Sequence, residues 1–133
     1  MKSSKMDFRP AKDIHARLQD LIEKLQFLHI DRKQIHCFRS LGSKSRAIAR
    51  IWSLPRVWQL ALAISPAYVI EVISEKFDGL TTAEQEKVLI HELLHIPKTF
   101  SGSLVPHRCF GRRIDRRRVE QYFKAYQIAK NSA

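Results

Sequence analysis

Five residues, His91-Glu92-Leu93-Leu94-His95, constrain this chain more than any others. They read H-E-x-x-H and sit late in an apolar run from Val88 to Ile96. On a helix, positions 91 and 95 lie one turn apart on one face, where both imidazoles can reach one Zn²⁺. Glu92 follows the first of them, placed to take a proton from a water that the metal activates. With six His and seven Glu in 133 residues, composition alone yields this pattern with odds of roughly one in seventy. Val88, Leu89, Ile90, Leu93, Leu94 and Ile96 make the helix apolar on nearly every side. Such a helix is buried, and buried imidazoles and carboxylates are costly unless paired or bound to metal. The bland alternative is two core histidines satisfied by carbonyls, with Glu92 on the surface.

A chain of 133 residues is one domain's worth, with a core but no room for a second. No stretch reaches the roughly eighteen apolar residues of a membrane helix, so no membrane role is expected. The N-terminus, Met1-Lys2-Ser3-Ser4-Lys5, has no apolar segment behind its charges and does not read as a secretory signal. Two cysteines, Cys37 and Cys109, make no disulfide framework, and a cytoplasmic setting is the expectation. The net charge is +11 and unevenly spread: residues 1–50 carry 12 basic and 5 acidic side chains, 51–100 carry 4 and 6, and 101–133 carry 8 and 2. Basic flanks around a mildly acidic centre suit either nucleic acid or plain solvent.

Pro10 ends a lead-in, residues 1–9, that is expected to be flexible. Ile14, Leu18, Leu21, Ile22, Leu25 and Leu28 recur at helical spacing over about residues 10 to 28. Ile35 to Ser40 and Ala47 to Leu54 read as strands, and residues 55–63 are ambiguous between helix and strand. Tyr68 to Ile73 is the most β-favourable stretch, and an edge strand there could bind an extended peptide. Thr81-Thr82-Ala83-Glu84 has capping-box spacing and opens the helix that carries the motif. Pro97 ends that helix.

A catalytic zinc usually has three protein ligands and an open position. His107 is the leading third, after eleven intervening residues that include Gly102 and Pro106. Asp115 competes: it shares a helical face with Val119, Tyr122 and Tyr126, so it is expected to face inward as a ligand or as the partner of a ligand histidine. Tyr122 and Tyr126 are candidate oxyanion donors. A last helix is expected over about 113–129, with 130–133 frayed. Arg112, Arg113, Arg116 and Arg117 crowd its start against the macrodipole, which makes them candidates for binding an anion.

His91 to Pro97, then Phe100-Ser101-Gly102 and His107, resembles the small H-E-x-x-H metallopeptidases of archaea and phages. Tyr68-Val69-Ile70-Glu71 and Phe77-Asp78 fit the same pattern, so the resemblance spans about residues 45–111. More distantly the chain is similar to SprT-like zinc peptidases, in which a later histidine precedes a phenylalanine by three residues, as His107 precedes Phe110. Pro106 and Arg108 flank that histidine here, where SprT-like proteins often carry glycine. The resemblance implies a minimal zincin with His91, His95 and His107 as ligands and Glu92 as general base.

The sequence reading is therefore an α+β, zincin-like domain: an N-terminal helix, a small mostly antiparallel sheet, the H-E-x-x-H helix and a C-terminal helix. It would hydrolyse peptide or protein substrates with one zinc per chain, the substrate strand lying along Tyr68 to Ile73. The rivals are a basic nucleic-acid-binding module with a structural metal, a DNA-associated SprT-like protease, and an inactive zincin that scaffolds a partner. Oligomeric state is not legible.

Overall fold

The computed structural model describes the backbone of residues 5–109 and 112–132, and the side chains of 5–107 and 114–132. Its order is β1 (Asp7–Pro10), α1 (Lys12–Lys24), β2 (Ile35–Leu41), β3 (Ala49–Ser53), α2 (Arg56–Leu62), β4 (Tyr68–Ile73), α3 (Ser74–Phe77), α4 (Thr82–Leu93), β5 (Arg108–Cys109), β6 (Arg112–Arg113) and α5 (Arg116–Asn131). This is a small α+β architecture. The lead-in expected to be flexible contains β1, which pairs antiparallel with β2 from Asp7↔Leu41 to Pro10↔Phe38. Pro10 therefore closes a strand rather than opening α1. At the other end α5 runs through Asn131, beyond the expected fraying point.

The four-stranded sheet has the order β1-β2-β4-β3. β2 and β4 are parallel, from Ile35↔Tyr68 to Ser40↔Ile73, whereas β3 and β4 are antiparallel. The sheet is thus mixed, with two antiparallel pairings and one parallel. Parallel neighbours need a long crossover, and β3 and α2 lie within it. β4 is consequently internal, which corrects the expected edge strand: its backbone groups are spent on β2 and β3, and it has no free side for a peptide. Internal position also explains its composition, since a strand buried on both faces reads as a near-continuous apolar run, broken here by Glu71.

Alternation sends Ile35, Cys37, Ile51, Tyr68, Ile70 and Val72 into a core shared with Ile14, Leu18, Leu21, Leu89, Ile90 and Leu93. Each large side chain buried there contributes about 1.5–3 kcal/mol relative to exposure. α1 packs on β2 and α5, and α4 on α5 and β3. The opposite sheet face carries an ion pair within the sheet: Glu71, fully buried, accepts from Arg50 Nε at 2.9 Å and from Trp52 Nε1 at 2.8 Å.

The ambiguous stretch forms α2, which buries only Gln59 and exposes Val57, Trp58, Leu60 and Leu62. The Gln59 amide donates to Leu54 O at 2.8 Å and to Ser101 O at 2.9 Å, tying α2 to the loop that follows α4. No helix among the described residues is long and apolar enough to cross a membrane.

Candidate metal centre

α4 starts on the expected capping box: Thr81 Oγ1 accepts from Glu84 N at 3.1 Å, and Glu84 accepts from Thr81 N at 2.9 Å. Two orphan donors of the first turn are thereby satisfied, and the helix is phased so that Leu89, Ile90 and Leu93 enter the core. His91 lies on its last α-helical turn. His95 lies just beyond, where His95 N bonds Glu92 O and Ile96 N bonds Leu93 O, both at 3.1 Å. These three-residue spacings tighten the end of the helix and carry the chain into Pro97.

The loop from Pro97 to His107 doubles back along the helix end. Phe100 and Gly102 take positive φ angles of 48° and 94°. A Cβ on residue 102 would lie 2.2 Å from Gln59 Nε2 and 2.4 Å from Leu54 O, so the close approach requires glycine. The buried Tyr68 hydroxyl accepts from Gly102 N and donates to Ser103 O, both at 2.8 Å. Val105 N then donates to His95 O at 2.7 Å. In return the His95 ring bonds Val105 O through Nδ1 at 2.6 Å. A carbonyl only accepts, so Nδ1 carries the proton and Nε2 keeps a lone pair.

Two residues later the loop delivers His107. Its Nε2 is 3.1 Å from His91 Nε2, and the ring centroids are 5.1 Å apart for His91–His95, 5.1 Å for His91–His107 and 4.7 Å for His95–His107. One nitrogen from each ring falls within a 4.8 Å span. Tetrahedral zinc with Zn–N bonds of about 2.0–2.1 Å needs nitrogens about 3.4 Å apart, so the donor set fits one small cation. Burial, and then the neighbouring imidazoles, push the His91 pKa down to about 4. Burial lowers that of His95 as well. At neutral pH both rings therefore present lone pairs.

Glu92 is 7% exposed, and burial raises its pKa to about 7. Among the described residues no side chain hydrogen-bonds its carboxyl, and none neutralises it. A buried carboxyl poised near neutrality and spent on no structural contact is suited to exchanging protons. His91 and Glu92 line a cavity of about 760 Å³ that extends between the start of β3, α4 and the start of α5.

Other expectations for the site change. Asp115 lines the cavity with His91 and Glu92, but it is an exposed residue and its carboxylate caps α5, accepting from Arg118 N at 3.0 Å. The helix begins at Arg116, so residue 115 precedes the periodic face on which the expectation rested, and the partner of His95 is the Val105 carbonyl instead. Tyr126 donates its hydroxyl to Asp20, across the α1–α5 interface. Tyr122 packs edge-on against Phe27 and lines a separate cavity of about 190 Å³ with His29 and Val105. Neither tyrosine lines the cavity at Glu92, so neither is placed as an oxyanion donor. Arg116 lines that cavity, and Arg117 is exposed beside it in sequence. The side chains of Arg112 and Arg113, like those of Cys109 and Phe110, lie outside the described residues. Val105 and Tyr68 escaped sequence reasoning, because one acts through its main chain and the other reads as an ordinary core aromatic.

A family model described as "Putative phage metallopeptidase" matches residues 6–126. No curated protein matches the chain, and no solved structure does.

Proposed function

The chain belongs to the phage metallopeptidase family whose model covers residues 6–126, and from that premise we propose that it hydrolyses peptide bonds with one zinc ion held by His91, His95 and His107. The observation that carries this reading is the convergence of three ring nitrogens within 4.8 Å beside a buried carboxyl that no other side chain among the described residues hydrogen-bonds. Zinc is preferred because imidazole sets of three suit it, with a fourth position left for water or substrate.

When bound, the zinc supplies Lewis acidity, lowering the pKa of a water and drawing charge from the scissile carbonyl. Glu92 takes the proton of the attacking water and returns it to the leaving amine. Burial of Glu92 holds its proton affinity near neutrality, which serves both halves of that transfer. Val105 fixes the ring orientation of His95, as outer partners of ligand histidines do. β3 is the sheet edge next to the cavity, because Ala49 belongs both to that strand and to the cavity lining. An extended substrate therefore adds to β3.

Elemental analysis and a quenched-peptide assay on wild type, His107→Ala and Glu92→Gln test the reading together. One zinc per chain is expected in wild type and Glu92→Gln, a weakened site in His107→Ala, and cleavage in wild type alone. Metal-free wild type after zinc-replete preparation would sink the proposal. A structural-metal reading is disfavoured, since structural zinc is usually closed by four ligands. Nucleic-acid binding stays a subordinate proposal on exposed Arg116 and Arg117. Duplex retention that weakens steeply with salt would support it.

A further inference from the structure

We propose that the cavity beside His91 and Glu92 is a specificity pocket for an apolar side chain followed by a carboxylate. The preferred substrate is then a peptide with an apolar residue at the scissile bond and a carboxylate, C-terminal or from an acidic side chain, close beyond it. This inference rests on the peptidase reading and adds a substrate class to it.

The first support is size and lining. A volume of about 760 Å³ lies within the range of pockets that enclose a small ligand, so it holds more than one side chain. Ile48, Ala49, Val88, Ile114 and Val119 give it apolar walls, and Glu92 lies among them. An apolar group seated there is therefore delivered to the carboxyl that moves the proton.

The second support is charge. Besides Glu92, three acids (Glu84, Asp115 and Glu120) and three bases (Arg46, Lys87 and Arg116) line the cavity, and they differ in how far they are already engaged. Glu84 is committed to the Thr81 amide at 2.9 Å, Asp115 to the Arg118 amide at 3.0 Å, and Glu120 to Lys87 at 2.6 Å. That last contact also occupies Lys87. Arg46 and Arg116 remain, and neither has a carboxylate partner among the described residues. They come from opposite parts of the chain, one before β3 and one opening α5, so the fold rather than local sequence brings them to one cavity. Guanidinium groups beside apolar walls favour a planar carboxylate that can accept two parallel hydrogen bonds. An amide or a cation gains nothing comparable.

The test is equilibrium binding to zinc-loaded Glu92→Gln protein, followed by NMR at the methyls of Ile48, Val88 and Val119. The probes are Ac-Ala-Ala-Leu-OH, Ac-Ala-Ala-Leu-NH2, Ac-Ala-Leu-Asp-NH2 and the same peptides with Gly for Leu. Peptides bearing a carboxylate are expected to bind about tenfold or more tighter than the neutral amide. That preference should vanish in the exposed double variant Arg46→Gln/Arg116→Gln, and Gly for Leu should weaken binding about tenfold. Tight binding of Leu-OH alone identifies a C-terminal carboxylate, and of Leu-Asp-NH2 alone an acidic side chain. Equal affinity for acid and amide, or methyl resonances that do not shift, would overturn the pocket. Wild-type protein with the same peptides reads the underlying proposal separately: selective binding without cleavage sinks the peptidase reading, while cleavage without acid preference sinks the pocket alone.

Discussion

His95 and Val105 hold each other twice, the Val105 amide on the His95 carbonyl at 2.7 Å and the His95 ring on the Val105 carbonyl at 2.6 Å. One main-chain unit thus sets the tautomer of a candidate ligand and places the loop that presents another, His107. Val105→Pro removes the donor of the first bond while leaving the carbonyl of the second. Zinc affinity is expected to fall about 10- to 100-fold, the usual cost of disturbing the partner of a ligand. Competition with a chromogenic chelator measures it. Unchanged affinity would show that the loop is positioned by other contacts.

Gly102→Ala should be costly for two separate reasons, a φ of 94° and a Cβ placed 2.4 Å from a backbone oxygen. A loss of roughly 2 kcal/mol or more is expected in urea unfolding, larger than for a glycine at an open turn. Gly79, with nothing within 4 Å of its Cβ position, is the control. Equal costs at 79 and 102 would remove the argument from close approach.

Glu71 sets an acid limit on stability. Burial pushes its pKa up, but the Ser40 hydroxyl, Arg50 and Trp52 outweigh burial and hold it below the ordinary carboxylate value of 4.5. The Ser40 contribution is the loosest, since neither Ser40 Oγ nor Glu71 Oε2 makes a well-formed hydrogen bond. A folded-state pKa below the unfolded one gives stability that is present above about pH 4.5 and lost as pH falls through the folded value. Glu71→Gln should cost on the order of 2–3 kcal/mol at pH 7 and flatten the dependence below pH 4.5. Parallel acid unfolding curves for the two proteins would contradict this assignment.

The apolar side chains of α2 are largely exposed among the described residues. Val57 and Leu60 are 69% and 67% exposed, so Val57→Lys and Leu60→Lys should leave stability within about 0.5 kcal/mol of wild type. They should also raise the concentration at which the protein self-associates. A loss above about 1 kcal/mol in thermal unfolding would mean that α2 packs more closely than its exposure indicates.

What could be read before folding was local. The Thr81-to-Glu84 capping box, the apolar helix around His91 and Glu92, and the strands near 35–40, 49–53 and 68–73 all announce themselves within a few residues. Hydrogen-bond reach and side-chain periodicity are short-range properties, and sequence displays them directly. His107 was legible as a histidine at workable spacing, but its approach to His91 depends on Gly102, Tyr68 and Val105 acting together.

The tertiary structure alone decided everything set by pairing between distant segments. It placed β4 inside the sheet by running β2 parallel to it, made β3 one of the two edge strands, and made the other from residues 7–10. It took Asp115 for a helix cap and brought Arg46 to the same cavity as Arg116. Strand order and loop return depend on which distant backbone groups meet, and a carbonyl such as that of Val105 has the same chemistry at every position in the chain. Only packing the helices on one face of the sheet selects which of them faces the histidines.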